Sequence, residues 1–102
     1  MELLLVCNAT QREIAIKEFP AMIGRDSSAE INVEDDSWVG HFQCILDQEG
    51  DRLRVLDLGT RVGTFVNGRR VQHALLAPGD RLRVGRVELT ITKETGTGPA
   101  NV

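Results

Sequence analysis

Aromatic residues are scarce in this chain of 102 residues, which contains three Phe, one Trp and no Tyr. A hydrophobic core must therefore be built mainly from Leu, Ile and Val, which pack well on pleated sheets. The length allows one packed domain and is too short for two. The composition therefore favours a single small domain made largely of strands.

Long apolar runs and secretion signals are absent as well. No stretch approaches the roughly 20 apolar residues that a membrane helix needs. The N-terminus opens with Glu2, and the apolar run 3–6 is too short for a secretory signal. We therefore predict no membrane insertion and a cytoplasmic location. Cys7 and Cys44 lie inside apolar runs, so we expect two buried thiols rather than a disulfide.

Charge is unevenly distributed along the chain. Residues 1–51 hold 11 acidic and three basic side chains (−8), whereas residues 52–102 hold four acidic and nine basic ones (+5), for a net charge of −3. The Arg-rich half is explained either by solvent-facing strand positions or by a local anion-binding edge. We predict no nucleic-acid partner, because the net charge is negative and no exposed-aromatic stacking motif accompanies the arginines.

Polar and apolar residues alternate along most of the chain, which is the period of half-buried strands. The alternation is clearest in 81–84 and 87–92, and Gly85-Arg86 between them predicts a tight hairpin with Arg83 opposite Glu88. Further strands are predicted over 3–7, 12–17, 42–46, 52–55 and 56–58. Residues 71–76 are compatible with a single helical turn that ends before Pro78.

Many short strands separated by turn signals predict an all-β fold, an antiparallel β-sandwich. We expect this sandwich to span residues 1–94. Residues 95–102 are a mixture of Gly, Thr, Pro and Asn with little apolar content, and they predict a disordered C-terminal tail.

Catalytic signatures are missing from the sequence. There is no phosphate-binding loop, no Cys/His cluster with metal-ligand spacing and no paired nucleophile and base. The two histidines, His41 and His73, lie 32 positions apart. We therefore predict that the chain is not an enzyme and that it uses no metal and no cofactor.

Three segments set on this strand pattern resemble a forkhead-associated (FHA) domain. They are MIGRDSSAEINVEDDSWVGHFQCIL, DLGTRVGTFVNGRRV and LAPGDRLRVG, and they occur in the order and spacing of that family. The resemblance covers about residues 3 to 92. It implies a β-sandwich of the FHA/SMAD-like type, without catalytic activity, whose loops at one end bind a protein partner that carries a phosphothreonine.

The resemblance also implies roles for individual residues. Arg25, after Gly24, would be the phosphate ligand, and His41 would tie neighbouring loops together by hydrogen bonds. Thr60 stands where the family often has Ser. The structural positions Gly63-Thr64 and Asn67-Gly68 match the turn that shapes the second binding loop.

Other positions depart from the family pattern. Trp38 occupies the place of the phosphate-binding Ser, and Val39 replaces the usual Arg or Asn. Val62 replaces the Asn that holds the peptide backbone, beside Arg61 in place of a small polar residue. Losing two charge-assisted hydrogen bonds would remove about 3–6 kcal/mol of binding energy.

Several alternatives follow from these departures. Ser37 would restore the missing hydroxyl if its loop shifted in register. Arg61 is either a second guanidinium for the phosphate or a loop tip in solvent, and Trp38 is either a cap on the sandwich rim or an interface anchor. Two functions stay open: a phosphothreonine reader that uses Arg25, Ser37, Thr60 and Arg61, and a phosphorylation-independent scaffold.

Overall fold

The computed structural model describes residues 2–33 and 36–95, with side chains through Thr92. Within these residues it contains eleven strands and no helix. The strands are β1 (Glu2–Cys7), β2 (Arg12–Ile16), β3 (Ala21–Gly24), β4 (Ile31–Asn32), β5 (Cys44–Glu49), β6 (Arg52–Asp57), β7 (Thr64–Val66), β8 (Arg69–Val71), β9 (His73–Leu76), β10 (Arg81–Val84) and β11 (Val87–Thr95).

The strands form two sheets, which confirms the predicted all-β sandwich. One sheet has the order β2-β1-β11-β10-β7-β8, and the other has the order β4-β3-β5-β6-β9. The pairs are antiparallel except β3 with the short β4, which is parallel. No helix in the described part of the chain is long and apolar enough to cross a membrane.

Local sequence accounts for the turns that set the register. Gly85-Arg86 forms the predicted hairpin between β10 and β11, and Arg83 pairs with Glu88. Asn67 and Gly68 both have positive φ, 53° and 82°, which a two-residue hairpin turn of type I′ requires. The alternation of the flanking strands then places one side of each strand in the core.

Residues 71–76 correct one prediction. They form no helical turn, because Val71 ends β8 and 73–76 form β9, which pairs with β6. The boundaries of other strands also shift: β5 begins at Cys44 rather than Phe42, and β6 runs without a break from Arg52 to Asp57. Pairing with an edge of a sheet therefore overrides the weak local preference in 71–76.

The core lies between the two sheets and is aliphatic, as the scarcity of aromatic residues predicts. Its fully buried side chains from both sheets include Leu3, Leu5, Ile23, Leu46, Leu53, Val55, Leu76, Leu82, Val84 and Ile91. Val39, from the loop between β4 and β5, is 1% exposed and joins this cluster. Both cysteines are free thiols; Cys44 is buried, and burial raises its pKa to about 12.

The predicted tail, 95–102, is described only at Thr95, where β11 ends opposite Glu2. The rest of that segment lies outside the described residues.

Candidate functional site

Four connecting segments meet at one end of the sandwich. They are the loops β3–β4 and β4–β5, the loop β6–β7 and the tight turn β10–β11. The loop from β4 reaches the β10–β11 turn because the Asp36 carboxylate accepts a 2.7 Å hydrogen bond from the Arg86 N–H. Rigid strands therefore hold all four segments in one rim, which we call the loop end.

Arg25 follows β3 directly, and its guanidinium is oriented by the backbone of the β4–β5 loop. Its Nε donates a 2.7 Å hydrogen bond to the Val39 carbonyl, and its backbone N–H donates to the Gly40 carbonyl at 3.0 Å. The side chain is half-buried. Since Nε is engaged, the terminal nitrogens are the groups that remain to face a ligand in a fixed direction.

Asp36 places a negative charge beside this guanidinium. Partial burial raises the pKa of the carboxyl, but backbone N–H bonds from Trp38 and Arg86, together with nearby positive charges, bring it below its ordinary value. The positive charges of Arg86 and Arg25 lower the same pKa as well. Asp36 is therefore ionised at neutral pH, and it offsets part of the positive charge at the loop end.

Trp38 is half exposed, at 49%, and lies against Arg86 rather than in the core. The guanidinium carbon of Arg86 is 5.0 Å from the centroid of the Trp38 ring, within the range of a cation–π contact. One of the two predicted roles for Trp38 was to cover the rim of the core. Its neighbour Val39, which is buried, does this instead. This leaves one face of the indole available to a partner.

Gln43 is the residue that ties the loops together. It is 0% exposed, and its Oε1 accepts a 2.7 Å hydrogen bond from the Gly40 N–H. Its Nε2 lies 2.9–3.1 Å from three oxygens of the neighbouring loop, those of the Thr60 hydroxyl, the Gly63 carbonyl and the Thr64 hydroxyl. One buried amide thus joins the β4–β5 loop to the β6–β7 loop.

Asp57 completes this network at the end of β6. Its Oδ1 accepts hydrogen bonds of 2.7 Å from the hydroxyls of Thr60 and Thr64, and its Oδ2 accepts from the backbone N–H groups of Gly59 and Thr60. Burial raises the pKa of this carboxyl, but these four donors together lower it below its ordinary value. The ionised carboxylate therefore fixes the shape of the β6–β7 loop.

The role expected for His41 needs correction. Its imidazole is exposed, and the contact that it makes between loops runs through its backbone carbonyl, which accepts a 3.1 Å hydrogen bond from the Asp26 N–H. Gly24 has no room for a side chain at this crossing, because a Cβ there would lie 2.1 Å from the His41 oxygen. Side-chain ties between the loops come from Gln43 instead.

In the part of the chain that the structure describes, no hydrogen bond or ion pair joins the Arg25 side chain to the other predicted ligands. Ser37 lines a cleft of about 510 Å³ together with Asp36 and Arg86, and Arg25 is not part of its lining. The Thr60 hydroxyl is occupied by Asp57 and Gln43. Arg61 is exposed on the loop tip.

The predicted turn residues lie at two separate places, before and after strand β7: Gly63 and Thr64 at its start, and Asn67 and Gly68 beyond its end. Gly63 lies under Arg70, whose guanidinium would touch a Cβ at 2.5 Å, and Arg70 also donates to the Thr60 carbonyl at 3.3 Å. The Asn67 turn lies beyond the three-residue strand β7, where its side chain bonds Asp80 and the Arg81 N–H. That turn fixes the start of β10 and is not part of the loop end.

Sequence reasoning missed Gln43, Arg86 and Asp57. The only available signal for Gln43 was a polar residue immediately before the apolar run 44–46. Arg86 was interpreted only as part of a hairpin turn. Among the described residues, no group of three or more His, Cys, Asp or Glu side chains is placed to hold a metal ion.

Comparisons with known proteins agree on one family. The family model for the FHA domain matches residues 21–85. The glycogen accumulation regulator GarA of Mycolicibacterium smegmatis is 34% identical over 76 residues, which cover 74% of this chain and 45% of GarA. This chain therefore spans less than half the length of that relative.

Solved structures share the whole fold. An FHA domain studied for phosphothreonine-dependent interactions superposes with a TM-score of 0.83 and 26% identity, covering 93% of this chain and 99% of that one. The FhaA FHA domain, solved in complex with the intracellular domain of Rv3910, superposes with a TM-score of 0.79 and 28% identity, covering 87% and 98% of the two chains.

Proposed function

Because this chain belongs to the forkhead-associated (FHA) family, we propose that it is a non-catalytic protein-interaction module that binds a phosphothreonine segment of a protein partner at the loop end. Arg25 carries this proposal. Its Nε is held on the Val39 carbonyl, so the rest of the guanidinium is aimed before any ligand arrives. A phosphothreonine supplies about two negative charges and three acceptor oxygens, which match such a donor.

The other candidate ligands of the loop end contribute unequally. Thr60 supports the site by fixing the loop, since its hydroxyl is already bonded on both sides. Arg61 extends into solvent one residue further on and would add a mobile positive charge. Ser37 lines the cleft together with Asp36, and Arg25 does not. The reader that we propose therefore depends on Arg25 more heavily than on any hydroxyl.

A second function is a scaffold that binds its partner without phosphorylation. Two observations favour it: Asp36 places a negative charge next to Arg25, and Trp38 exposes half of its surface at the same rim. Trp side chains at such positions frequently anchor protein interfaces. In this case the partner would contact Trp38 and Arg86, and phosphate would add nothing to the affinity.

Trp38 also provides the experiment, because it is the only tryptophan in the chain. We would titrate the protein with matched peptide mixtures, each with a fixed central threonine, phosphorylated or not, and randomised flanks, and follow Trp38 fluorescence. Arg25→Ala should weaken binding of the phosphorylated mixture about 10- to 150-fold, the equivalent of the loss of one charged hydrogen-bonding group of about 1.5–3 kcal/mol.

The matched control is Arg52→Ala, an exposed arginine at the start of β6 and so at the opposite end of that strand from the loop end. It should leave the titration unchanged. Equal responses to phosphorylated and unphosphorylated mixtures, unaffected by Arg25→Ala, would establish the scaffold function instead. We further propose that the module acts in the cytoplasm, where its two free thiols would remain reduced.

A further inference from the structure

The segment that faces Arg25 is 39–41. Three hydrogen bonds hold segment 39–41 against Arg25 and its neighbour Asp26. Arg25 Nε donates to the Val39 carbonyl, the Arg25 N–H donates to the Gly40 carbonyl, and the Asp26 N–H donates to the His41 carbonyl. The close crossing at Gly24 presses the same segment against the end of β3. A phosphate held by Arg25 therefore lies beside these three residues.

Only one side chain in that segment is available to a ligand. Val39 is 1% exposed and belongs to the core, and Gly40 has no side chain. Trp38, one residue earlier, lies against Arg86. His41 remains, and its imidazole is exposed two residues from the carbonyl that holds the Arg25 guanidinium.

We propose that His41 is a second phosphate-binding side chain of this site, and that its protonation makes phosphothreonine binding stronger at mildly acidic pH. This inference rests on the proposed function. A neutral imidazole can donate one hydrogen bond to a phosphate oxygen, whereas the imidazolium donates charge-assisted bonds and adds a unit positive charge. Histidine is the side chain that most readily changes its charge within the physiological pH range.

The charged groups around His41 fit this role. Asp26, on the β3–β4 loop, interacts electrostatically with the imidazole, but its carboxylate is occupied by the backbone N–H and the hydroxyl of Ser28. Arg25 lies on the same loop, and Asp36 lies on the loop of His41 itself. Across the rim, the Thr60 methyl group lies 3.1 Å from a Cβ built on Gly40, and the exposed Arg61 is the next residue after Thr60.

The test follows the two histidines by NMR while the protein is titrated with a capped phosphothreonine (the N-acetyl, N-methylamide derivative) at several pH values. Saturation should raise the pKa of His41, because an anion favours the imidazolium, and should leave that of His73 unchanged. Since a phosphate monoester itself titrates near pH 6, the comparison is made between wild type and variants against the same ligand.

Wild type should bind about three- to fivefold more tightly at pH 6.5 than at pH 8.0. His41→Asn should lose this difference, and His41→Lys should keep tight binding at both values because its charge does not titrate there. His73→Asn, a change at an exposed position on β9, is the matched control and should behave as wild type.

The outcomes separate the two proposals. If Arg25→Ala abolishes binding while His41→Asn retains the pH dependence of wild type, the role of His41 is disproved and the proposed function stands. If wild type fails to bind the capped phosphothreonine at any pH, the role of His41 is disproved, and the peptide titration followed by Trp38 fluorescence decides the proposed function separately. Loss of the pH dependence in His41→Asn, with its retention in His73→Asn, supports the inference.

Discussion

At the scale of single residues, the geometry of the loop end depends on a neutral amide. Gln43 is fully buried, and its side chain bonds partners on two different loops. A buried polar group is tolerated only when its hydrogen bonds are made, and removing it leaves unsatisfied those partners that have no other hydrogen bond. The loops are therefore positioned by a group that never meets the ligand.

We predict that Gln43→Ala lowers the free energy of unfolding by about 2–4 kcal/mol. The substitution removes the partner of the part-buried Gly40 N–H and of the buried Gly63 carbonyl. Chemical denaturation measures the change. Gln48→Ala is the control, because the amide of Gln48 makes only an exposed contact, to the Gly50 carbonyl, and it should cost less than about 0.5 kcal/mol. Equal effects of the two substitutions would contradict the assigned role.

The lowered pKa of Asp57 predicts that the stability of the fold depends on pH. Its pKa in the folded protein is lowered by the donors around it, relative to a value near 3.9 in the unfolded chain. Its contribution to stability is therefore complete above about pH 4 and is lost as the pH falls through the lower folded value. The difference in unfolding free energy between wild type and Asp57→Asn should shrink from pH 7 to pH 3.

The control for this measurement is Asp51→Asn, since Asp51 is exposed in the turn between β5 and β6. Its difference from wild type should be small at both values. A difference for Asp57→Asn that stays constant between pH 7 and pH 3 would show that the carboxylate charge does not hold the loop.

These residues also show what the sequence could and could not predict about the site. The position of Arg25 directly after a strand follows from the Gly-Arg pair that ends an apolar run, whereas its role as phosphate ligand comes from the FHA resemblance and stays a prediction. Asp57 bonds donors only two to seven positions away, but the loop conformation that turns them towards its carboxylate leaves no periodic signal in the sequence. Gln43 was not predictable, because its partners in segment 60–64 lie 17 to 21 positions away and only the sheet pairing brings them together. For the same reason, sequence reasoning assigned the loop tie to His41, two positions too early.

At the scale of elements, strand alternation and turn residues were sufficient to predict the sandwich. The β10–β11 hairpin follows from Gly85 and from clean alternation on both sides, and its register was predicted correctly. Strand β9 was not predictable from 71–76, because it is an edge strand whose pairing with β6 is supplied by tertiary structure. Local patterns are therefore reliable where the alternation is clean, as in the edge strand β2, and weak where it is not, as in β9 and in the interior strand β7.

The crossing of β3 with the β4–β5 loop provides a prediction at this scale. A Cβ on Gly24 would lie 2.1 Å from the His41 carbonyl oxygen, a backbone atom that cannot move without breaking its hydrogen bond to Asp26. We predict that Gly24→Ala destabilises the fold by about 3 kcal/mol and displaces the loop that faces Arg25. Thermal unfolding and the chemical shifts of 39–41 would measure both effects.

Gly59→Ala is the comparison for Gly24→Ala. Gly59 has a φ of +78° but open space around its Cβ position, so alanine there suffers backbone strain alone, about 1 kcal/mol. If Gly24→Ala costs no more than Gly59→Ala, the two segments do not cross as closely as the structure indicates.

At the scale of the whole molecule, the two ends of the sandwich have different tasks. The loop end gathers Arg25, Asp36, Trp38 and His41, while the opposite end contains the Asn67 turn that pins the start of β10. The surface of β5 and β6 away from the loop end carries Arg54 between Asp47 and Glu49, each at 3.6 Å. Arg54 is therefore paired with acidic side chains. The other strand arginines of the second half are divided between β6 in one sheet and β8 and β10 in the other, so they do not form one basic face.

The extent of the folding unit provides the last prediction. We expect a chain that ends at Thr95 to unfold with the same free energy as the full chain, within about 0.5 kcal/mol, because the pairing of β1 with β11 ends at Glu2 and Thr95. A chain that ends at Leu89 should fail to fold. It lacks Ile91, which is fully buried and whose backbone bonds both Gly79 and Asp80, and it lacks the residues that pair with the first half of β1. Circular dichroism would show whether each truncated chain folds, and denaturant titration would measure its free energy of unfolding. A marked loss of stability on removing 96–102 would show that the folding unit extends beyond β11.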